Sequence, residues 1–285
     1  MVEGLLSAAE GGRLHKAPGA NLLPAARLAA GPLLAHRMAG KRVPAGRAAR
    51  ARWLGAATLL AVLCVEPVGH TQTGKPVLHV LLQLDVKSVA LERMLQQQLP
   101  NLAVTVFSRY RDLEDASAAA KPDGLLAITP VLEQWGQRPA LQGIRAGRDD
   151  EPYLLVSVVK VLDGSLSGKT IGAVDVLGRD GTQSFVTGLV RAKDVKVKRV
   201  PKTEDLLPLL EFSAADGILI PSSALARLTE RTRLDIKSKE APGGRVGLPA
   251  LAIFNDASKD TLTKALSRLD AATKKALGID AWSVR

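Results

Sequence analysis

Short apolar runs recur along the chain from residue 77 onwards, and segments with helical spacing of apolar residues separate them. The runs are nearly continuous rather than alternating with polar residues, which predicts strands of sheets that are covered on both faces. The predicted strands are Val77–Leu82, Val104–Phe107, Gly124–Ile128, Tyr153–Val159, Thr170–Val174, Val195–Val200, Gly217–Ile220 and Gly247–Phe254.

Helices are predicted between these strands. Ser88–Leu99 carries apolar residues three and four positions apart, and Ser258–Leu277 does the same before Gly278 ends it. The other predicted helices are Asp112–Ala120, Thr182–Lys193, Thr203–Phe212 and Ser222–Thr229. This alternation predicts an α/β fold of mostly parallel sheets with right-handed crossovers and helices on both faces.

The order of elements favours two lobes after an N-terminal extension that covers residues 1–73. We expect lobe I to contain residues 74–158 and 245–285, and lobe II to contain residues 159–244. Two extended crossings, near residues 156–161 and 236–244, would form the hinge. Turn-forming residues lie next to both crossings.

Composition and charge exclude some classes of protein. The 285 residues are 46% hydrophobic and 24% charged, as in ordinary globular proteins. The net charge is +11, but residues 1–52 carry nine basic and two acidic residues and therefore +7 of it. The basic stretch 191–199 is interpreted as the solvated face of a strand. Since the folded part lacks a basic stripe and only 3% of residues are aromatic, we expect no nucleic-acid partner.

The apolar run Trp53–Val65 follows three arginines and is too short to span a bilayer well. It is typical of a secretory signal, with cleavage between Cys64 and Thr73, and predicts export to the periplasm. The alternative is a lipid anchor at Cys64, the single cysteine, after a segment similar to a lipobox. Contact with the membrane is expected only through the signal or this anchor.

Four stretches resemble, in order and spacing, stretches of type II periplasmic substrate-binding proteins. Residues 166–175 (L-x-G-K before a strand) are similar to the phrase that opens their second lobe. Residues 110–130 and 205–220 resemble the helix, aspartate and strand phrases of the two lobes. Residues 275–282 resemble the closing phrase of the branch that includes phosphonate and phosphite receptors of ABC importers. The resemblance covers residues 77–285 and implies a two-lobed fold that binds a small ligand.

The chain departs from the phosphonate branch where the first helix of lobe II begins. That branch has a cradle rich in serine and threonine there, whereas this chain has Gly178–Thr182. Backbone N–H groups and Arg179 could still hold an anion, but Asp180 would repel one. A phosphonate ligand is therefore one alternative among polar, zwitterionic and oxyanionic ligands.

Ligands of open α/β sheets bind beyond the carboxyl ends of the strands, which defines the candidate residues. We expect several of the following residues to contact the ligand: Asp85, Lys87, Ser88, Arg109, Tyr110, Thr129, Asp175, Arg179, Asp180, Thr182 and Ser222. Capping of a helix is an equal alternative for Ser88, Thr182 and Ser222. The alternative for Tyr110 is packing in a half-buried position, and the alternative for Arg109 is a solvated side chain.

No catalytic constellation is found in the sequence. Three of the four histidines precede the first strand, His79 lies inside it, and the only cysteine lies in the leader. We therefore expect no enzyme, no cofactor and no metal site. The favoured function is an exported solute-binding protein that traps a small polar or anionic ligand by hinge closure and serves the membrane subunit of an ABC importer. The alternative is a periplasmic sensor or accessory protein with the same fold.

Overall fold

The computed structural model of the protein describes residues 74–83 and 86–285. The predicted leader, including Cys64, lies outside the described residues. The strands are β1 (Val77–Leu81), β2 (Ala103–Phe107), β3 (Gly124–Ile128), β4 (Leu141–Ile144), β5 (Asp150–Val158), β6 (Thr170–Val174), β7 (Lys196–Val200), β8 (Gly217–Pro221), β9 (Ile236–Gly247), β10 (Pro249–Ile253) and β11 (Ala281–Val284). The helices are α1 (Ser88–Gln98), α2 (Tyr110–Ala119), α3 (Thr129–Gln134), α4 (Gly178–Val190), α5 (Leu206–Glu211), α6 (Leu225–Glu230), α7 (Lys259–Ser267) and α8 (Ala271–Ala276).

The strands form two sheets, each of which is the centre of one lobe. The sheet of lobe I has six strands in the order β11-β4-β10-β3-β1-β2, and the sheet of lobe II has five in the order β7-β6-β8-β5-β9. β1 pairs in parallel with β2 and β3, and β6 pairs in parallel with β7 and β8. The other pairs, which involve β4, β5, β9, β10 or β11, are antiparallel. The predicted α/β class is confirmed, while the strand directions are more mixed than the apolar runs alone indicated.

Apolar side chains pack on both faces of each sheet, as the continuous runs predicted. In lobe I, α1 and α7 bury Leu95 and Leu266 on one face, and α2 and α3 bury Leu113 and Leu132 on the other. In lobe II, α4 covers one face, and α5 and α6 cover the other. The strands are therefore enclosed, and only their ends are free to form a site.

An aspartate joins two strands at the amino end of each sheet, and it is buried in lobe I and exposed in lobe II. In lobe I, Asp123 accepts hydrogen bonds from the Val77 backbone N (2.7 Å), Asn255 Nδ2 (2.6 Å) and Ser258 Oγ (2.9 Å). Burial opposes ionisation of Asp123, but these donors outweigh it and lower its pKa. In lobe II, Asp216 accepts from the Thr170 backbone N and from Lys169, which also lowers its pKa. In both lobes, a hydrogen bond from a strand backbone N to an aspartate thus fixes the register of the parallel pair.

The chain crosses between the lobes at two places, between β4 and β5 and between β9 and β10. Residues 150–158 and 245–247, which were predicted to belong to lobe I, therefore lie in the sheet of lobe II. The reason is that β5 pairs with β8 and β9 along its length. An apolar run predicts a strand but does not identify its partners.

Candidate functional site

A cavity of about 770 Å³, called here the arginine cavity, lies between the lobes. Lobe I contributes residues 108–112, Glu114 and Asp115, at the end of β2 and in α2. Lobe II contributes Asp175, Gly178 and Arg179 between β6 and α4, and residues 199–201 at the end of β7. These are carboxyl ends of parallel strands, where α/β proteins place their ligands.

On the lobe I wall, two arginines of the cavity pair with acids of their own helix. Arg109 donates from Nε and Nη2 to the two carboxylate oxygens of Asp112, at 2.8 and 2.9 Å. This pairing raises the pKa of Arg109. Arg111 Nε lies 3.8 Å from Asp115 Oδ2, and the arginine side chain is almost fully exposed. Such exposed pairs contribute little to stability and can exchange partners when a ligand arrives.

On the lobe II wall, Asp175 is held by two donors. Arg199 Nη1 donates to its Oδ2 at 2.7 Å, and Thr182 Oγ1 donates to its Oδ1 at 2.9 Å. The same Thr182 oxygen accepts from the Leu177 backbone N at 3.1 Å. Thr182 is fully buried, so it orders the turn between β6 and α4 instead of facing the cavity.

Arg179 differs from the other arginines of the cavity, since it has no hydrogen bond or ion pair with any described residue. It lies in the first turn of α4, where exposed backbone N–H groups and the helix dipole also favour an anion. Its neighbour Asp180 is exposed and does not line the cavity. The cavity therefore presents both signs of charge, with one guanidinium available to a ligand.

Tyr110 forms the contact between the lobes at the edge of this cavity. Its hydroxyl accepts hydrogen bonds from Gln134 Nε2 (2.9 Å) and Trp135 Nε1 (3.0 Å), and the side chain is 4% exposed. Burial raises the pKa of Tyr110, although both donors oppose the rise. Gln134 also donates to the carbonyl of Leu177 at 3.2 Å, across the lobes.

The turn before α4 fits closely against Tyr110. Gly178 has a φ of +71°, and a Cβ there would lie 3.1 Å from the tyrosine ring. The preceding Val176 and Leu177 are each 5% exposed and share an apolar cluster with residues of lobe I. The lobes therefore touch through packed apolar side chains beside the cavity.

Four of the predicted site residues come together in the arginine cavity: Arg109, Tyr110, Asp175 and Arg179. Asp85 lies outside the described residues. Thr129 lies in a different hollow, and its hydroxyl donates to the Leu248 carbonyl at 3.3 Å. Lys87 and Ser88 lie at the start of α1, and Ser222 follows β8, away from this cavity. The capping alternative was wrong for Ser88 and Ser222, because no side chain caps those helices.

Arg199, the partner of Asp175, was not among the predicted site residues. The stretch 191–199 was interpreted as a solvated strand face, but Arg199 is the penultimate residue of β7 and reaches the carboxyl edge. The rule that selected Arg109 and Asp175 takes residues after a strand, so it could not find Arg199, which lies inside the predicted strand Val195–Val200.

His79 lies away from the cavity. It is buried in β1, with Nδ1 2.9 Å from Ser117 Oγ and its ring edge-on to Phe107. Across residues 74–83 and 86–285, no group of three or more potential metal-ligating side chains comes together. No helix in the same ranges is long and apolar enough to cross a membrane.

The two lobes, their strand orders and the cavity between them define the fold of periplasmic substrate-binding proteins. The binding-protein component of a phosphonate ABC transporter from Pseudomonas aeruginosa is similar, with 16% identity, a TM-score of 0.52, and coverage of 74% of this chain and 82% of that one. Tv2483 bound to L-arginine has 14% identity, a TM-score of 0.52 and coverages of 73% and 93%. XAC2383 from Xanthomonas citri bound to ATP has 14% identity, a TM-score of 0.51 and coverages of 71% and 94%.

No protein-family model and no curated protein matches the sequence. The structural similarities, at this level of identity, show the fold. They confirm the predicted resemblance to periplasmic substrate-binding proteins, while the phosphonate branch stays a prediction. The three structures are a transporter binding protein and two proteins with bound small molecules.

Proposed function

We propose that this protein is an exported solute-binding protein that captures a small polar or anionic ligand in the arginine cavity and delivers it to an ABC importer. The observation that carries the proposal is Arg179, a guanidinium at the start of α4 that lines a cavity between two lobes and has no partner among the described residues. The volume of about 770 Å³ suits a small molecule.

The charges of the cavity favour a ligand that carries both signs, or a small oxyanion. The described lining residues include four arginines and four acids, and three of those acids have an arginine partner. A zwitterion could bind Arg179 with its acidic group and an aspartate with its ammonium group. The apolar leader, Trp53–Val65, supports a periplasmic location for this function.

A second candidate is a sensor or accessory protein in the periplasm. The observation that favours it is the packing of Val176 and Leu177 against lobe I, because an apolar contact between lobes resists opening. Such a protein would keep one arrangement of the lobes and would use the fold to bind a partner.

A thermal-shift experiment tests the first candidate. The full chain is heated with phosphate, 2-aminoethylphosphonate, L-arginine, L-glutamate or glucose. A ligand at about 100 times its Kd adds about 2.7 kcal/mol, so Tm should rise by several degrees with an anionic or zwitterionic compound. The rise should be lost in Arg179→Ala and kept in Arg233→Ala, an exposed arginine of lobe II outside the cavity.

The receptor proposal would be contradicted if no compound shifted Tm, and this result would favour the second candidate. It would also be contradicted if Arg179→Ala gave the same shift as the unchanged chain, because the ligand would then bind elsewhere.

A further inference from the structure

A second cavity, of about 720 Å³, lies between the lobes next to the two crossings of the chain. We call it the hinge cavity. Lobe I contributes residues after β1, the end of β3 and the turn 275–280, and lobe II contributes residues of β5 and those after β8. Among the described residues, no lining residue is shared with the arginine cavity. Its volume is that of a small-molecule pocket.

The walls of the hinge cavity are mainly apolar, unlike those of the arginine cavity. The apolar lining includes Leu82, Val86, Ile128, Pro221 and Ala276, from both lobes. An apolar ligand surface buried here would contribute about 25 cal/mol per Å² to binding. The cavity therefore suits a ligand with a hydrocarbon body.

Tyr153 supplies a hydrogen-bond donor to this apolar wall. The residue is 8% exposed, and its ring packs edge-on against Phe185 at 5.6 Å. Its hydroxyl has no hydrogen-bond partner among the described residues. Burial raises the pKa of Tyr153, so the hydroxyl stays protonated and can donate. The hydroxyl is therefore a donor on the wall of the cavity that a ligand acceptor can use.

The charges around the cavity favour an anionic head group. The carboxylate of Glu151 already accepts from Arg145 Nη2 (2.5 Å) and from the Ser223 backbone N (3.3 Å). Asp280 accepts from the Ala146 backbone N at 2.8 Å. Lys275 is an exposed lining residue with no ion pair to any described residue. The carboxylates of Glu151 and Asp280 already accept hydrogen bonds, so a cationic ligand would have to displace their donors. An anionic ligand could instead pair with the ammonium group of Lys275.

We propose that the hinge cavity binds an amphipathic carboxylate of medium chain length. The hydrocarbon chain packs on the apolar wall, the carboxylate accepts from the Tyr153 hydroxyl, and Lys275 attracts it at the rim. This site differs from that of the proposed function, and the inference does not depend on the arginine cavity.

Calorimetric titration of the full chain with sodium octanoate tests the proposal. We expect saturable binding of one octanoate. Tyr153→Phe keeps the ring and its packing but removes the donor, so affinity should fall about three- to tenfold. Lys275→Gln should also weaken binding and reduce its dependence on salt. Lys274→Gln, on the same helix but outside the cavity, should bind octanoate like the unchanged chain.

Three results would overturn the proposal. The first is the absence of saturable octanoate binding to the unchanged chain. The second is an unchanged affinity in Tyr153→Phe. The third is a loss of octanoate binding in Arg179→Ala together with normal binding in Tyr153→Phe, which would place the carboxylate in the arginine cavity.

Discussion

His79 shows how burial alone sets the behaviour of one residue in this protein. Its side chain lies inside β1, covered by Phe107 and Ser117. Desolvation by burial lowers its pKa from the ordinary value of 6.5. The folded protein therefore keeps His79 neutral at a pH at which the unfolded chain takes up a proton.

This difference predicts a dependence of stability on pH. Below about pH 6.5, His79 binds a proton in the unfolded state but stays neutral in the folded state. The free energy of unfolding therefore falls as the pH falls. Above that pH the effect of His79 is constant. In His79→Asn the fall between pH 7 and 5.5, measured by urea unfolding, should be smaller than in the unchanged chain, although the variant is less stable at pH 7.

Aspartates do not produce this effect in the same window, because the pKa values of Asp123 and Asp216 are lowered and they titrate at more acidic pH. An identical pH profile in His79→Asn and the unchanged chain would mean that His79 does not cause the fall.

The residues of the candidate site were partly predictable. The rule that ligands lie beyond the carboxyl ends of strands selected Arg109, Tyr110, Asp175 and Arg179, which do meet in one cavity. The rule could not distinguish residues that face the cavity from those that turn inwards, such as Thr182. It could not find Tyr153 either, because this tyrosine lies near the start of its strand and reaches the hinge cavity only through the packing of both lobes.

At the level of elements, continuous apolar runs predicted most of the central strands close to their observed bounds. Three strands, β4, β9 and β11, were missed for a physical reason. β9 is long, polar and contains Pro242, so neither alternation nor an apolar run marks it. β4 and β11 are only four residues long. The predicted helix 258–277 is divided into α7 and α8, because Asp270 caps a new helix by accepting from the Thr273 backbone N at 2.7 Å.

The close approach of β9 to α4 predicts opposite effects of two glycine substitutions. A Cβ on Gly243 would lie 2.5 Å from the Leu189 Cα and 2.7 Å from the Gly188 carbonyl, so Gly243→Ala should cost about 1–3 kcal/mol. A Cβ on Gly188 meets nothing within 4 Å, so Gly188→Ala should stabilise α4 by about 0.5–1 kcal/mol. Urea unfolding of both variants measures the difference.

The two glycines belong to the same contact, so each variant is the control for the other. If both variants changed the free energy of unfolding in the same direction, the strand and the helix would not approach each other as described.

At the scale of the whole molecule, two cavities of different chemistry flank a packed contact between the lobes. The contact is formed by Tyr110, Gln134 and Leu177. The chain crosses between the lobes twice, before β5 and after β9. The sequence predicted two lobes but placed the crossings inside β5 and β9, because the partners of a strand depend on the whole sheet. The consequence for function is that the arginine cavity forms only when the lobes face each other.

The most direct test of a ligand site between the lobes is a calorimetric titration at the arginine cavity. The full chain and Arg179→Ala are titrated with 2-aminoethylphosphonate, or with whichever compound of the thermal-shift series raises Tm most. We predict saturable binding of one ligand to the unchanged chain and binding at least about tenfold weaker in Arg179→Ala, since a hydrogen bond to a charged group contributes about 1.5–3 kcal/mol. Equal affinities, or no saturable heat with the unchanged chain, would contradict the account.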